Sequence, residues 1–309
     1  MDPPLNLFAI LDQTATRFPD SPAVYHGSRL FCTWRELRQR ALRLATSIRQ
    51  RCAAGARVAI ASENRPEIVE LLFAIWAAEC VAVPINYKLH PQEMAQIFAD
   101  AGTSLVFASE AIAAALTTDA PVERFETTRY STLLAAQPAA PPCTDPAALA
   151  WLFYTSGTTG RAKGAMLTHR GLMAMTIAHL ADIDAPDERC SFVHAAPMSH
   201  GSGLYIPAYV LRGARQVVPA GGGFNTSEFL DLCDQHPGCS TLLAPTMVQR
   251  LVDTGRARPR QLRTVVYGVR PDVCEQHQKG DGGIRTRLRA DLRPGRGADD
   301  HHGIAPRRP

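Results

Sequence analysis

Apolar and polar positions follow two rhythms along this chain, helical stretches at a 3.6-residue spacing and short continuous apolar runs between them. Trp34 to Arg51 carries apolar residues at helical spacing, and Thr33 with Glu36 three residues later fits a capping box. Arg57 to Ala61 is a short apolar run that reads as a strand. Pro66 to Cys80 predicts an apolar helix with proline at its first position, and Val81 to Val83 a strand that Pro84 should stop. Pro91 to Ala101 predicts a further helix, and Ser104 to Ala108 a strand. Alternation of this kind predicts an α/β domain with mainly parallel sheets flanked by helices. Residues 134–147, rich in Ala and Pro, read as a linker, and no internal repeat is visible.

Composition narrows the class. The chain has 309 residues, 46% of them hydrophobic, which is enough for a large buried core. Its formal net charge is only +4, which argues against nucleic acid as the main partner. No run of 18 apolar residues predicts a transmembrane segment, and Met1-Asp2-Pro3-Pro4 lacks the charged start of a signal peptide. A cytoplasmic location is expected. Eight cysteines at irregular spacing, without a C-x-x-C pair, suit reduced thiols better than a disulfide framework or a zinc site.

The candidate chemistry lies where the apolar run from Ala147 to Phe153 ends. Residues 154–164 read Tyr-Thr-Ser-Gly-Thr-Thr-Gly-Arg-Ala-Lys-Gly, a buried strand feeding a loop of hydroxyls, glycines and one lysine. Glycines let backbone amides approach phosphate oxygens, Ser and Thr hydroxyls add donors, and Lys163 adds a point charge. A solvated turn would account for the composition but not for the order of the parts. The Walker pattern fails: counting from Gly157, its second glycine falls on Ala162, and Gly164 stands where a metal-binding Ser or Thr is needed.

The segment resembles the signature loop of the AMP-forming adenylating enzymes, [ST]-S-G-T-T-G-x-P-K-G. The match runs through Thr155, Ser156, Gly157, Thr158, Thr159, Gly160, Lys163 and Gly164, with Ala162 in place of the usual proline. That change loses loop rigidity but no donor, since proline has no N–H. Five further strings agree in family order. They are Val83-Pro84-Ile85-Asn86-Tyr87-Lys88-Leu89, Thr168-His169-Arg170-Gly171-Leu172, Pro197-Met198-Ser199-His200-Gly201-Ser202-Gly203, Ala244-Pro245-Thr246-Met247 and Val265-Val266-Tyr267-Gly268. The resemblance covers residues from about 8 to 268, the front half of a typical member.

The resemblance implies the large N-terminal domain of the adenylating-enzyme fold over residues 1–268, without the small C-terminal domain. It implies an acyl-CoA synthetase that activates a carboxylic acid with ATP and Mg²⁺ and passes the acyl group to CoA, in fatty-acid or related metabolism. Thr155 to Gly160 and Lys163 would hold the ATP phosphates. His200 would lie beside the substrate carboxylate, unless it is an ordinary histidine of the fold. Tyr267 and Gly268 would face the adenine and acyl sites. His169 and His194 are expected to be structural, and no residue is assigned as a metal ligand.

Residues 269–309 break the pattern. They hold nine Lys or Arg and six Asp or Glu, and they contain no Phe, Trp or Tyr. Composition alone reads as a disordered basic tail. The genetic code offers a sharper reading. The family-like string Q-I-Y-G-Q-G-E-A-P-M-T-I-T, written in GC-rich codons and read from the third base of its first codon, gives D-L-R-P-G-R-G-A-D-D-H-H. That is Asp291 through His302 of this chain. In the same phase Val269 to Cys274 is compatible with S-A-P-M-Y, the string expected after Tyr267-Gly268. A frameshift near codon 268 is therefore expected. It would remove the family's Y-G-x-[TG]-E segment, its ribose-binding Asp, the hinge and the catalytic Lys. Two functions stay open, an impaired acyl-CoA ligase and a non-catalytic nucleotide-binding remnant; an adenylation domain that loads a carrier protein is a variant of the first.

Overall fold

In the computed structural model, the described residues are 6–155, 163–267 and the backbone of 286–288. Helix α1 (Phe8–Arg17) and the hairpin of β1 (Pro22–His26) and β2 (Arg29–Thr33) lead into α2 (Trp34–Arg49). Then come β3 (Arg57–Ala61), α3 (Pro66–Ala77), β4 (Val81–Ile85), α4 (Pro91–Ala101) and β5 (Thr103–Ala108), the predicted alternation. Short elements α5 (Glu110–Ala113), β6 (Val122–Arg124) and α6 (Thr128–Leu133) follow. The hairpin of β7 (Leu149–Thr155) and β8 (Lys163–Thr168) precedes α7 (His169–Asp182) and β9 (Ser191–Val193). Next are α8 (Gly201–Leu204), α9 (Ile206–Leu211), β10 (Arg215–Val218) and α10 (Thr226–Gln235). The remaining elements are β11 (Cys239–Leu243), α11 (Pro245–Asp253), β12 (Leu262–Tyr267) and β13 (Thr286–Leu288).

Two sheets result. The first has the order β6-β5-β3-β4-β7-β8 and is parallel except for the β7–β8 pair. The second has the order β13-β12-β11-β9-β10-β1-β2 and is antiparallel only at its two ends. Its strand β11 is buried at every residue, as expected of a parallel strand covered on both faces. The predicted α/β class with mainly parallel sheets is thus the observed one.

Local signals explain most boundaries. The Thr33–Glu36 capping box forms: the Thr33 side chain accepts from the Glu36 amide, and the Glu36 carboxylate accepts from the Thr33 N–H at 2.8 Å. Thr168 likewise caps α7 by accepting from the Gly171 N–H at 3.0 Å. Two expectations need correction. Helix α3 ends at Ala77 rather than Cys80, because Glu79 turns the chain left-handed at φ 60°. Strand β4 continues through Pro84 to Ile85. Its pairing with β7 is a single bridge, Ala82 to Trp151, so Pro84 sits where one side of the strand carries no ladder.

Residues 134–148 hold neither helix nor strand, yet they are fixed rather than free. The Ala139 N–H donates to the Leu42 carbonyl, the Thr46 hydroxyl to the Gln137 carbonyl and the Arg43 guanidinium to the Leu134 carbonyl. The linker is a strap laid along α2. Beneath it, every residue of α3 except Glu67 is buried, which matches a helix apolar on all sides. Glu70 on that helix is fully buried and is held by Arg40 and the Tyr130 hydroxyl. Trp34, Trp76 and Trp151 are also fully buried, and the Trp76 indole donates to the Ala150 carbonyl at 2.9 Å. Rings of this size contribute on the order of 4–6 kcal/mol each by area.

The seven described cysteines are free, six of them buried. Among the described residues no helix is long and apolar enough to cross a membrane. Two core histidines couple the fold to pH. The His169 ring accepts from the Leu7 N–H at 3.2 Å, and His194 lies between Ser202 and Gln216. Burial pulls both down to about 4. An unfolded chain protonates such rings near pH 6.5, so lowering the pH from 6.5 towards 4 favours unfolding. Urea titrations at pH 6 and pH 5 should show stability falling by about 2–3 kcal/mol across that unit, with roughly two protons taken up. Equal midpoints at the two pH values would contradict this.

Candidate active site

Five parallel strands end at one cleft. Its walls come from the segments after β3 (Asn64), β4 (Tyr87, Lys88), β9 (Ala195, Pro197) and β10 (Gly221 to Asn225), and from α11 after β11 (Thr246, Arg250). A crevice outside the carboxyl ends of parallel strands is the usual ligand position in such sheets. The volume is about 670 Å³, within the range of small-molecule sites. Lys88 and Arg250 give it cationic walls, and among the described residues neither is in an ion pair. Glu228 is occupied, because its carboxylate accepts from the Ala220 and Gly221 amides.

Of the site residues expected from the sequence, none of the described ones is in the lining of this cleft. Thr155 ends β7 directly opposite Lys163, the first residue of β8. The two residues therefore flank the loop, whose Ser156, Gly157, Thr158, Thr159 and Gly160 lie outside the described residues. His200 stands at the start of α8, half-buried, with its ring 5.5 Å from that of Phe153 on β7. Its Nδ1 is 3.0 Å from the Ser199 hydroxyl, and burial lowers its pKa. Tyr267 ends β12 in register with Leu243, and Gly268 lies outside the described residues. Beside it Val266 packs in one cluster with Ala196, Leu242 and Met247.

Two motif glycines have packing reasons. A Cβ on Gly203 would lie 1.9 Å from the Met198 carbonyl oxygen and 3.0 Å from the Trp151 ring. A Cβ on Gly164 would lie 2.9 Å from the Tyr154 ring, which its hydroxyl anchors to Asp100 at 2.6 Å. Gly164 therefore serves the hairpin base, where its cross-strand partner is Tyr154. The sequence reading gave no role to Asn64, Lys88 or Arg250. An asparagine between a strand and an X-Pro helix start was a turn signal for Asn64; the other two carry no local signal.

Substituting Gly203 tests this packing. The blocking atom is backbone and the ring is buried, so Gly203→Ala should cost about 1–3 kcal/mol or more in chemical denaturation. An unchanged denaturation midpoint would contradict the close approach of α8 to β7.

Known proteins place this architecture. The family model described as AMP-binding enzyme matches residues 11–275. A feruloyl-CoA synthase from an Amycolatopsis species is 33% identical over 267 residues, 82% of this chain and 52% of that protein. A long-chain-fatty-acid–CoA ligase from Thermus thermophilus is 30% identical over 290 residues, 87% of this chain and 53% of that protein. The chain spans about half the length of these curated relatives. ATP-bound MatB from Rhodopseudomonas palustris superposes with a TM-score of 0.73 at 25% identity, covering 85% of this chain and 55% of that one. The inhibitor-bound N-terminal domain of FACL13 from Mycobacterium tuberculosis shares the fold, with a TM-score of 0.75 at 22% identity over 86% of this chain and 70% of that one. With a core, a cleft and a family match that run together through most of its length, the chain belongs to the AMP-binding enzyme family.

Proposed function

We propose that this chain carries the phosphate- and acid-binding half of an AMP-forming acid–thiol ligase. In that reaction a carboxylate oxygen attacks the α-phosphorus of ATP, pyrophosphate leaves, and an acyl-adenylate forms. The sulfur of CoA then attacks the acyl carbon, and AMP leaves with the bonding pair. The observation that carries this reading is the β7–β8 hairpin. Thr155 and Lys163 face each other at the base of the loop, and His200 packs against the same strand.

The chemistry needs charge control, because an anion must attack an anion. Lys163 and the loop amides would stabilise the leaving pyrophosphate, an electrostatic role with typical effects on the order of 10²-fold or more. His200, kept neutral by burial near pH 7, would orient the carboxylate through a hydrogen bond without adding charge. Tyr267 would border the adenine and acyl side. Among the described residues no group of three or more His, Cys, Asp or Glu is placed to hold a metal ion. The Mg²⁺ that ATP brings would offset phosphate charge, and no step is assigned to it. The relatives are named for unlike acids, so the substrate is proposed only as a carboxylic acid.

The codon register of residues 269–309 favours a second reading for the chain as it stands. No Y-G-x-[TG]-E string follows Gly268. We take a single-base insertion near codon 268 as its cause, which leaves a nucleotide-binding chain with little or no turnover. Sequencing the coding DNA and assaying both forms separates the readings. The chain as it stands should give no ATP- and CoA-dependent thioester, and the frame-restored protein should give one with some acid in a substrate panel. In the restored protein, Lys163→Ala should slow adenylate formation by on the order of 10²-fold. Robust thioester formation by the present chain would overturn the frame reading. Failure of the restored protein with every acid would overturn the ligase reading.

A further inference from the structure

We infer that Asn64 is a positioning residue for the site at His200, holding the turn that delivers this histidine to the β7–β8 hairpin. The inference rests on His200 belonging to the site. Asn64 lies between β3 and α3 and is 4% exposed. Its Nδ2 donates to the carbonyls of His194 at 2.8 Å and Ala196 at 2.9 Å, and its Oδ1 accepts from the Met198 N–H at 2.8 Å. All three bonds therefore fall on the backbone of one five-residue stretch, which begins one residue after β9 and ends two residues before His200. The Asn64 N–H donates to the Gly222 carbonyl at 3.0 Å, which adds the segment after β10.

One residue just after the first sheet thus ties together two cleft-forming segments of the second, its side chain holding residues 194–198 and its backbone N–H the segment after β10. The bonds cross between the sheets at the cleft itself, where Asn64, Ala195 and Pro197 form part of the wall. A primary amide suits this position. It offers two donors to two carbonyls and one acceptor to one amide, whereas a carboxylate would face both carbonyls with unshared pairs. The position of Gly222 suits glycine. Its φ is +67°, and a Cβ there would sit 3.2 Å from the Glu63 side chain. Downstream of the clamp, the His200 N–H donates to the Pro197 carbonyl at 3.1 Å, so a shift of residues 196–198 moves the histidine.

Proton NMR of the histidine rings tests this without requiring turnover, with His200→Gln assigning the resonance. In the parent the Phe153 ring, 5.5 Å away, should offset the His200 ring protons from their random-coil position. Asn64→Ala should lose that offset while the His169 resonance stays in place. Asn64→Ser, which keeps one donor and one acceptor, should retain part of it and serves as the readout if the alanine variant does not fold. Unchanged His200 resonances in either folded variant would overturn the inference. A companion titration with benzoate and ATP separates this from the nucleotide-binding reading of the present chain. If the parent binds neither ligand while the His200 offset still depends on Asn64, the clamp stands and the nucleotide-binding reading of the present chain falls.

Discussion

The position of the end of β7 depends on how Trp151 is buried. Trp151 sits in the middle of β7 with its ring fully buried, and its backbone forms the bridge by which β7 joins β4. Its ring approaches that of Trp76 of α3, with centroids 6.4 Å apart. It also lies close to Gly203, where an added Cβ would be 3.0 Å from it. Sheet, core helix and the short helix after His200 therefore meet at one indole. Four residues further along β7 the chain reaches Thr155, so the packing of Trp151 sets where the loop begins. Close packing of this kind is discrete rather than elastic, which suits the proposed phosphate-binding role of the loop that follows.

Around that anchor the site divides its work between apolar packing and backbone hydrogen bonding. Tyr154 laid across Gly164, with its hydroxyl on Asp100, closes the base of the hairpin. Asn64 ties the turn before His200 to the end of β3. Burial keeps His169 and His194 neutral as hydrogen-bonding parts of the frame. The cationic groups Lys88 and Arg250 stand on the cleft wall, in no ion pair among the described residues, a charge arrangement that favours anionic ligands.

Much of this was legible in the sequence wherever the cue was local. Strand β3 and helix α4 lie at their predicted bounds, because a capping residue, a proline or an apolar run marks each end. The end of α3 was not legible, since the left-handed residue is Glu79 and not a glycine. Pro84 misled in the other direction, because its tolerance depends on how far β7 pairs with β4. The candidate site followed the same division. The loop from Thr155 to Gly164 and the segment around His200 announced themselves as strings, but Asn64 acts only across the gap between two sheets. The reason for Gly164 was likewise tertiary: a pattern match reads it as part of a phosphate loop, and the structure gives it a tyrosine ring to accommodate.

The central claim is that the loop between β7 and β8 binds the phosphates of ATP, and amide hydrogen exchange on the present chain tests it most directly. With ATP or pyrophosphate added, the account predicts slower exchange in peptides spanning residues 155–164, and no comparable change in α2 or its strap. Ligand-dependent protection confined to some other region, or none at a ligand concentration that saturates binding, would contradict it.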